Sequence, residues 1–204
     1  MGQTTAVPTA DGGRVVVTAV GDGGPALLLC HGQAFSRESF LAYAQDVSSS
    51  GVTAAALDFR GYGDSQAGSD GLGARDLDVL AVLGWLAALG HAPVIALGAS
   101  MGGGAVLRAA LREAAVFEGG LITWSTVAIG EIRPDSAFGT GPKLFCVSAD
   151  EPMHQQTIAM HAAAQSPKEL VVLPGSGHAQ QILSGPAAPL LKAAVSKFLA
   201  RATA

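Results

Sequence analysis

The sequence predicts an α/β fold with a mostly parallel central sheet and helices on both faces. Seven short runs rich in Val, Leu, Ile and Ala predict strands. Most of these runs are almost continuously apolar, which is typical of strands that are covered on both faces of a parallel sheet. Helical patterns lie between several of them, and this alternation implies the crossover connections of an open, mostly parallel sheet.

The individual elements follow from the positions of these patterns. The predicted strands are 14–20, 26–30, 53–59, 93–97, 120–124, 143–148 and 169–173. The predicted helices are 75–89, 101–115, 154–164 and 187–200. In the first helix, the apolar face is expected to consist of Leu77, Leu80, Ala81, Gly84 and Ala88.

Composition favours a single folded domain over residues 1–204, because 49% of the residues are hydrophobic and only 14% are charged. A net charge of −4 without a Lys/Arg cluster argues against nucleic acid or an acidic membrane surface as a partner. Gly and Pro residues interrupt the uncharged stretch 79–107, so we expect no membrane span. Cys30 and Cys146 lie inside apolar runs and are expected to be buried thiols. The N-terminus does not resemble a secretory signal, and the sequence therefore predicts a cytoplasmic protein.

One motif can carry chemistry. Residues 98–102, Gly-Ala-Ser-Met-Gly, match G-x-S-x-G between a predicted strand and a predicted helix. The glycines avoid collisions in a strained turn that exposes the hydroxyl of Ser100. The turn also aims the amide of Met101 towards the charge that develops on an attacked carbonyl oxygen. A dinucleotide loop is the alternative, but the spacing is not G-x-G-x-x-G and no acidic residue ends the next predicted strand.

A serine nucleophile needs a base, and the base needs an orienting carboxylate. Of the five histidines, His178 is the expected base, because it lies in a glycine-rich loop after the last predicted strand. The alternative interpretation is a surface histidine without a catalytic role. Asp150 follows a predicted strand between Ser100 and His178 and is the expected carboxylate, with a helix N-cap as its alternative role. The other carboxylates in this interval lie in less defined surroundings or one residue out of register: Glu131, Asp135 and Glu151.

The sequence resembles the α/β-hydrolase superfamily over nearly its whole length. Besides the serine turn, His31-Gly32 resembles the oxyanion loop of that family, and residues 58–65, Asp-Phe-Arg-Gly-Tyr-Gly-Asp-Ser, resemble its D-x-R-G-x-G-x-S turn. The resemblance implies the α/β-hydrolase fold and a second oxyanion donor at the amide of Gln33, with Ala34 as the alternative. Asp58 and Arg60 are expected to be structural. The short connection 125–142 predicts no large cap domain and an exposed site.

The predicted activity is hydrolysis of a carboxylic ester or related small acyl substrate through an acyl-Ser100 intermediate, without cofactor or metal. Thioester hydrolysis and acyl transfer would use the same residues. A lyase or cofactor-free oxygenase would use His178 as a base, and a ligand-binding or sensor protein is the alternative outside enzymes. Serine at position 100 argues against dehalogenases, epoxide hydrolases and dienelactone-type hydrolases. Five residues are candidate walls of the substrate pocket because of their positions in the sequence: Phe35, Tyr62, Met101, Trp124 and Met153. The alternative role of each is ordinary packing.

Overall fold

The computed structural model of the chain describes residues 2–127 and 138–203, and within them eight strands form one sheet. The strands are β1 (Gln3–Pro8), β2 (Arg14–Val20), β3 (Ala26–Cys30), β4 (Thr53–Asp58), β5 (Val94–Ala99), β6 (Leu121–Trp124), β7 (Lys143–Ser148) and β8 (Lys168–Leu173). Their order in the sheet is β1-β2-β4-β3-β5-β6-β7-β8. β2 is antiparallel to β1 and β4, and all other neighbours are parallel.

Helices cover both faces of this sheet, as the sequence predicts. In the described part of the chain they are α1 (Leu41–Ser48), α2 (Arg75–Ala88), α3 (Met101–Arg112), α4 (His154–Ala163) and α5 (Ala188–Ala202). Alternate residues of β3 show the two layers, since Leu28 and Cys30 belong to a core shared with α2, α3 and α4. Leu27 and Leu29 belong to the opposite core, shared with α1 and α5. Because both faces are buried, β3 is apolar at every position.

The predicted bounds of β2, β3 and β7 are those observed, and the other predicted strands differ by one or two residues. Two elements are additional, because β1 and α1 were not predicted. The predicted core-facing side of α2 is partly wrong. The buried apolar residues of this helix are Leu77, Val79, Val82, Leu83 and Leu86. Gly84 and Ala88, which were expected on that face, are exposed.

A buried cationic side chain ties the antiparallel edge of the sheet to α2. The Arg60 guanidinium is fully buried and donates hydrogen bonds to Asp11 (2.8 Å), to Asp78 (2.9 Å) and to the Gly71 carbonyl (2.9 Å). These bonds to Arg60 hold the pKa of the Asp11 carboxyl well below its usual range. Arg60 is therefore structural, but its carboxylate partners are Asp11 and Asp78 and not Asp58.

Asp58 instead anchors the segment that follows β3. It accepts a hydrogen bond from the backbone N–H of Arg37 (2.7 Å) and forms an ion pair with the guanidinium of the same residue. Arg37 begins a short 3-10 helix that ends at Phe40. Asp58 therefore fixes the direction in which the chain leaves the loop after β3.

Cys30 and Cys146 are both buried and free, as predicted. Among the described residues, no helix combines the length and the apolar character that crossing a membrane requires.

Candidate active site

Ser100 lies on a tight turn between β5 and α3. Its backbone is in the left-handed region, with φ of 51° and ψ of −113°, which a residue with a side chain rarely adopts. Its N–H donates to the Trp124 carbonyl (2.8 Å), which fixes the turn against β6. A Cβ on Gly98 would collide with the backbone of Gly102, and one on Gly102 would collide with the Cys30 carbonyl. The glycines are therefore needed for close packing of strand, turn and helix.

A continuous line of hydrogen bonds begins at the hydroxyl of this serine. Ser100 Oγ lies 2.9 Å from Nε2 of His178, and Nδ1 of His178 lies 2.6 Å from Oε2 of Glu151. The carboxylate accepts a hydrogen bond from Nδ1–H, so Nε2 is the free acceptor for the serine hydroxyl. The His178 side chain is 36% exposed whereas that of Glu151 is fully buried. The structure thus brings Ser100 and His178 together, and Glu151 completes the line.

The prediction that Asp150 is the carboxylate that orients His178 is wrong. Asp150 is exposed, its backbone N–H donates to the Gly175 carbonyl (3.0 Å), and its neighbour Glu151 contacts His178 instead. The turn after β7 directs residue 150 to solvent and residue 151 inward. The other oxygen of Glu151 accepts hydrogen bonds from the backbone N–H of Ser148 (2.8 Å) and from Ser125 Oγ (2.7 Å).

Ser125 is a site residue that the sequence analysis missed. It directly follows β6, has a left-handed φ of 49°, and its N–H donates to the Cys146 carbonyl (2.9 Å). Its hydroxyl donates to Glu151 and accepts from the N–H of Ala179 (3.1 Å). One hydroxyl therefore links the carboxylate to the residue after His178. The available signal was its position at the carboxyl end of a strand beside the serine strand.

The loop after β3 presents the amide of Gln33. The Gly32 carbonyl accepts hydrogen bonds from His31 Nδ1 (2.8 Å) and from the Phe35 N–H (3.0 Å). In a trans peptide the N–H points opposite to the C=O, so the Gln33 N–H points away from both donors. Among the described residues, neither Gln33 nor Met101 donates its backbone N–H to another protein group. Both amides are thus free to donate a hydrogen bond to a bound ligand.

His31 is buried and neutral. Its Nε2 accepts a hydrogen bond from the Phe59 N–H (3.1 Å), which places the ring proton on Nδ1, the atom that holds the Gly32 carbonyl. Burial lowers its pKa, although the hydrogen bond to Gly32 and the nearby Asp58 act in the opposite direction. The ring packs edge-on against Phe59 and Tyr62. His31 therefore supports the loop as a buried, uncharged side chain.

An open groove of about 450 Å³ lies over the serine hydroxyl. Of the candidate walls, Phe35 lines it. Tyr62 and Met101 were also expected to be walls, but neither lines the groove. The Tyr62 hydroxyl instead donates to the Gln33 carbonyl (3.0 Å) and lies 3.8 Å from the sulfur of Met101. The residues that line the groove are Gly32, Gln33, Ala34, Phe35, Ser100, His178 and Ala179.

The predictions of Trp124 and Met153 as groove walls are wrong as well. Trp124 is fully buried in the core and packs against the rings of Phe40 and Tyr43, with centroids 5.9 and 5.7 Å away. A strand residue in a sheet covered on both faces points into one of the two cores, which removes it from the groove. Met153 is half-buried at the start of α4 and does not line the groove.

Among the described residues, the structure contains no cluster of three or more His, Cys, Asp or Glu side chains that could hold a metal ion. His154 and His161 lie on α4, where the ring of His161 packs against Phe145. The alternative carboxylates Glu131 and Asp135 fall outside the described residues.

Comparisons with known proteins agree with this architecture. A family model described as alpha/beta hydrolase fold matches residues 25–118, which include the loop after β3 and the serine turn. No curated protein matches the chain in sequence. The resemblance to α/β hydrolases is thereby confirmed, and the chain has the α/β-hydrolase fold.

Solved structures resemble the whole chain. A predicted CIB-like hydrolase from Thermoplasma acidophilum is 20% identical, with a TM-score of 0.76 over 98% of this chain and 99% of that one. Est1E from Butyrivibrio proteoclasticus, solved with ferulic acid, is 17% identical, with a TM-score of 0.79 over 97% and 98% of the two chains. XC6422 from Xanthomonas campestris, an α/β serine hydrolase without lid, is 17% identical, with a TM-score of 0.75 over 98% and 94%. At such identities the likeness establishes the fold.

Proposed function

We propose that this chain is a serine hydrolase that cleaves a carboxylic ester or a related acyl compound. The observation that carries the proposal is the line of hydrogen bonds from Ser100 through His178 to Glu151 beneath an open groove. Each member has a chemical task in acyl transfer: a nucleophile, a base and a carboxylate that orients the base.

The reaction would begin when His178 Nε2 takes the proton of Ser100 Oγ as the oxygen attacks the acyl carbon. The negative charge that forms on the carbonyl oxygen would be stabilised by the N–H groups of Gln33 and Met101, the second at the N-terminus of α3. His178 would then give its proton to the leaving alkoxide. Water, activated by the same imidazole, would hydrolyse the acyl-Ser100 intermediate and release the acid.

Glu151 would act through the histidine. A carboxylate at Nδ1 holds the tautomer in which Nε2 is the proton acceptor, and it stabilises the imidazolium that forms during attack. Two of the similar structures support the same class of reaction: Est1E, solved with ferulic acid, and XC6422, an α/β serine hydrolase without lid. Thioester hydrolysis and acyl transfer would follow the same steps with another leaving group or acceptor.

We further propose a single-domain enzyme that acts on a small acyl substrate in the cytoplasm, without a cofactor or a nucleic-acid partner. Two buried free thiols, Cys30 and Cys146, are consistent with a reducing compartment. The acidic net charge of −4 is unsuited to binding phosphate backbones.

A fluorophosphonate probe and a panel of p-nitrophenyl esters test the proposal. The wild type and Ser69→Ala, which alters an exposed serine in a loop remote in sequence from the site, should be labelled and should hydrolyse esters. Ser100→Ala should do neither. The proposal fails if the wild type is not labelled and shows no turnover above Ser100→Ala, and labelling without turnover would indicate a binding protein.

A further inference from the structure

Gln180 occupies an unusual position for a polar side chain. It is only 5% exposed, yet both ends of its amide have partners. Its Oε1 accepts a hydrogen bond from the backbone N–H of Gly32 (3.2 Å), and its Nε2 donates to Ser39 Oγ (3.2 Å). Gln180 follows His178 by two residues, so this side chain bridges the histidine loop and the loop that carries the oxyanion amide.

The bridge completes the restraint of the Gly32 backbone. His31 holds the Gly32 carbonyl from one side, whereas Gln180 holds the Gly32 N–H from the other. Space at this point is limited, because a Cβ on Gly32 would lie 3.2 Å from Gln180 Oε1 and 3.4 Å from the Cβ of Ser100. Gln180 therefore sets how closely the oxyanion loop approaches the serine.

We infer that Gln180 is a positioning residue, which aligns the Gln33 amide with the oxygen of the carbonyl group that Ser100 attacks. This inference rests on the proposed function. Without the bridge, the Gly32 N–H loses its acceptor in a buried place, and the loop is free to shift relative to His178. A donor to an oxyanion contributes mainly in the transition state, so misplacement lowers kcat more than it raises KM.

The test is Gln180→Met, which keeps the length of the side chain and removes both hydrogen bonds. We expect kcat for p-nitrophenyl acetate to fall about 10- to 100-fold, short of the roughly 10²- to 10³-fold loss for deleting an oxyanion donor, with KM within about threefold. Gln155→Met is the matched control, because Gln155 is exposed on α4, and it should retain the wild-type kcat. Gln180→Asn is a second variant that stays polar but is one methylene too short to reach Gly32.

Binding of a trifluoromethyl ketone separates positioning from general stability. Ser100 Oγ adds to the ketone carbon, its proton passes to His178, and the ketone oxygen becomes an oxyanion that needs the Gln33 amide. Its Ki should therefore rise in the Gln180 variants by about the same factor as kcat/KM falls. The inference is overturned if either folded variant retains kcat and Ki within twofold of the wild type. A wild type that is neither labelled by the fluorophosphonate nor active on esters would instead refute the proposed function.

Discussion

Glu151 is held in one orientation by groups from three parts of the chain. One oxygen accepts hydrogen bonds from the Ser148 N–H and from Ser125 Oγ, which leaves the other oxygen directed at His178. Because the carboxylate is fully buried, its charge acts on the imidazole with little screening by water. The exposed carboxylate of Asp150, one residue earlier, lacks this arrangement in the described structure.

Replacing each of these two adjacent carboxylates by its amide should therefore have very different effects on kcat. Glu151→Gln keeps the shape of the side chain but removes the charge that stabilises the imidazolium, and we expect kcat to fall about 10³- to 10⁴-fold. Asp150→Asn should change kcat less than about threefold. Initial rates of ester hydrolysis with the two purified variants provide the measurement. A severe loss in Asp150→Asn with an active Glu151→Gln would restore Asp150 as the catalytic carboxylate.

The sequence predicts the serine and the histidine better than the carboxylate for a physical reason. A glycine-flanked serine between strand and helix is a local geometry, and a histidine in a glycine-rich loop after the last strand has few alternatives. Which of two adjacent carboxylates points inward depends on the turn after β7 and on its partner Ser125, 26 residues earlier. The same dependence on remote packing removes Trp124 from the predicted groove wall.

At the scale of elements, the start of α3 packs directly on the end of β3. Gly102 lies so close to this strand that a Cβ would overlap the Cys30 carbonyl and approach the His31 carbonyl to 2.7 Å. The contact joins the serine turn to the loop that carries the Gln33 amide. Any side chain at position 102 would push the two apart.

Gly102→Ala should therefore destabilise the protein by about 1–3 kcal/mol, the usual cost of overpacking, despite the higher helix propensity of Ala. Ester hydrolysis should fall as well, because the loop moves away from Ser100. Gly84→Ala in α2 is the matched control: no atom lies within 4 Å of its Cβ position, so we expect a gain of about 0.5–1 kcal/mol. Urea unfolding of both variants measures the two effects, and an equal response would contradict the packing argument.

The elements that the sequence analysis did not predict share one property. β1 is an edge strand with mostly exposed side chains, and α1 buries only Tyr43, Ala44 and Val47. Neither element therefore has the continuous apolar run by which the central strands were predicted. The face of α2 was misassigned because apolar residues surround this helix almost completely. The parallel strands are predictable because burial on both faces makes them apolar throughout.

For the molecule as a whole, the buried guanidinium of Arg60 joins the β1–β2 turn to α2 through Asp11 and Asp78. Arg60→Met should lower the free energy of unfolding by about 3–5 kcal/mol, because it leaves two carboxylates without their buried cation. Arg201→Met is the control, since its ion pair with Glu169 is exposed, and its melting temperature should hardly change. Similar melting temperatures for the two variants would show that the Arg60 cluster does not stabilise the fold.

Stability should also depend on pH through His31, whose pKa in the folded protein is lowered by burial. In the unfolded chain its pKa is near the usual value of about 6.5, so below this pH the unfolded state binds a proton that the folded state does not. The free energy of unfolding should therefore decrease as the pH falls from about 6.5 towards the folded pKa, by up to about 1.4 kcal/mol per pH unit for this one group.

His31→Asn isolates this contribution, because an Asn amide can donate to the Gly32 carbonyl as Nδ1 does but does not titrate. His161, whose pKa is also lowered by burial, contributes equally to both proteins and cancels in the comparison. Urea unfolding between pH 5 and 8 should give a shallower loss of stability in His31→Asn than in the wild type. Parallel curves would mean that the imidazole of His31 gains its proton as readily in the fold as in the unfolded chain. That result would contradict a neutral His31 beneath the loop after β3.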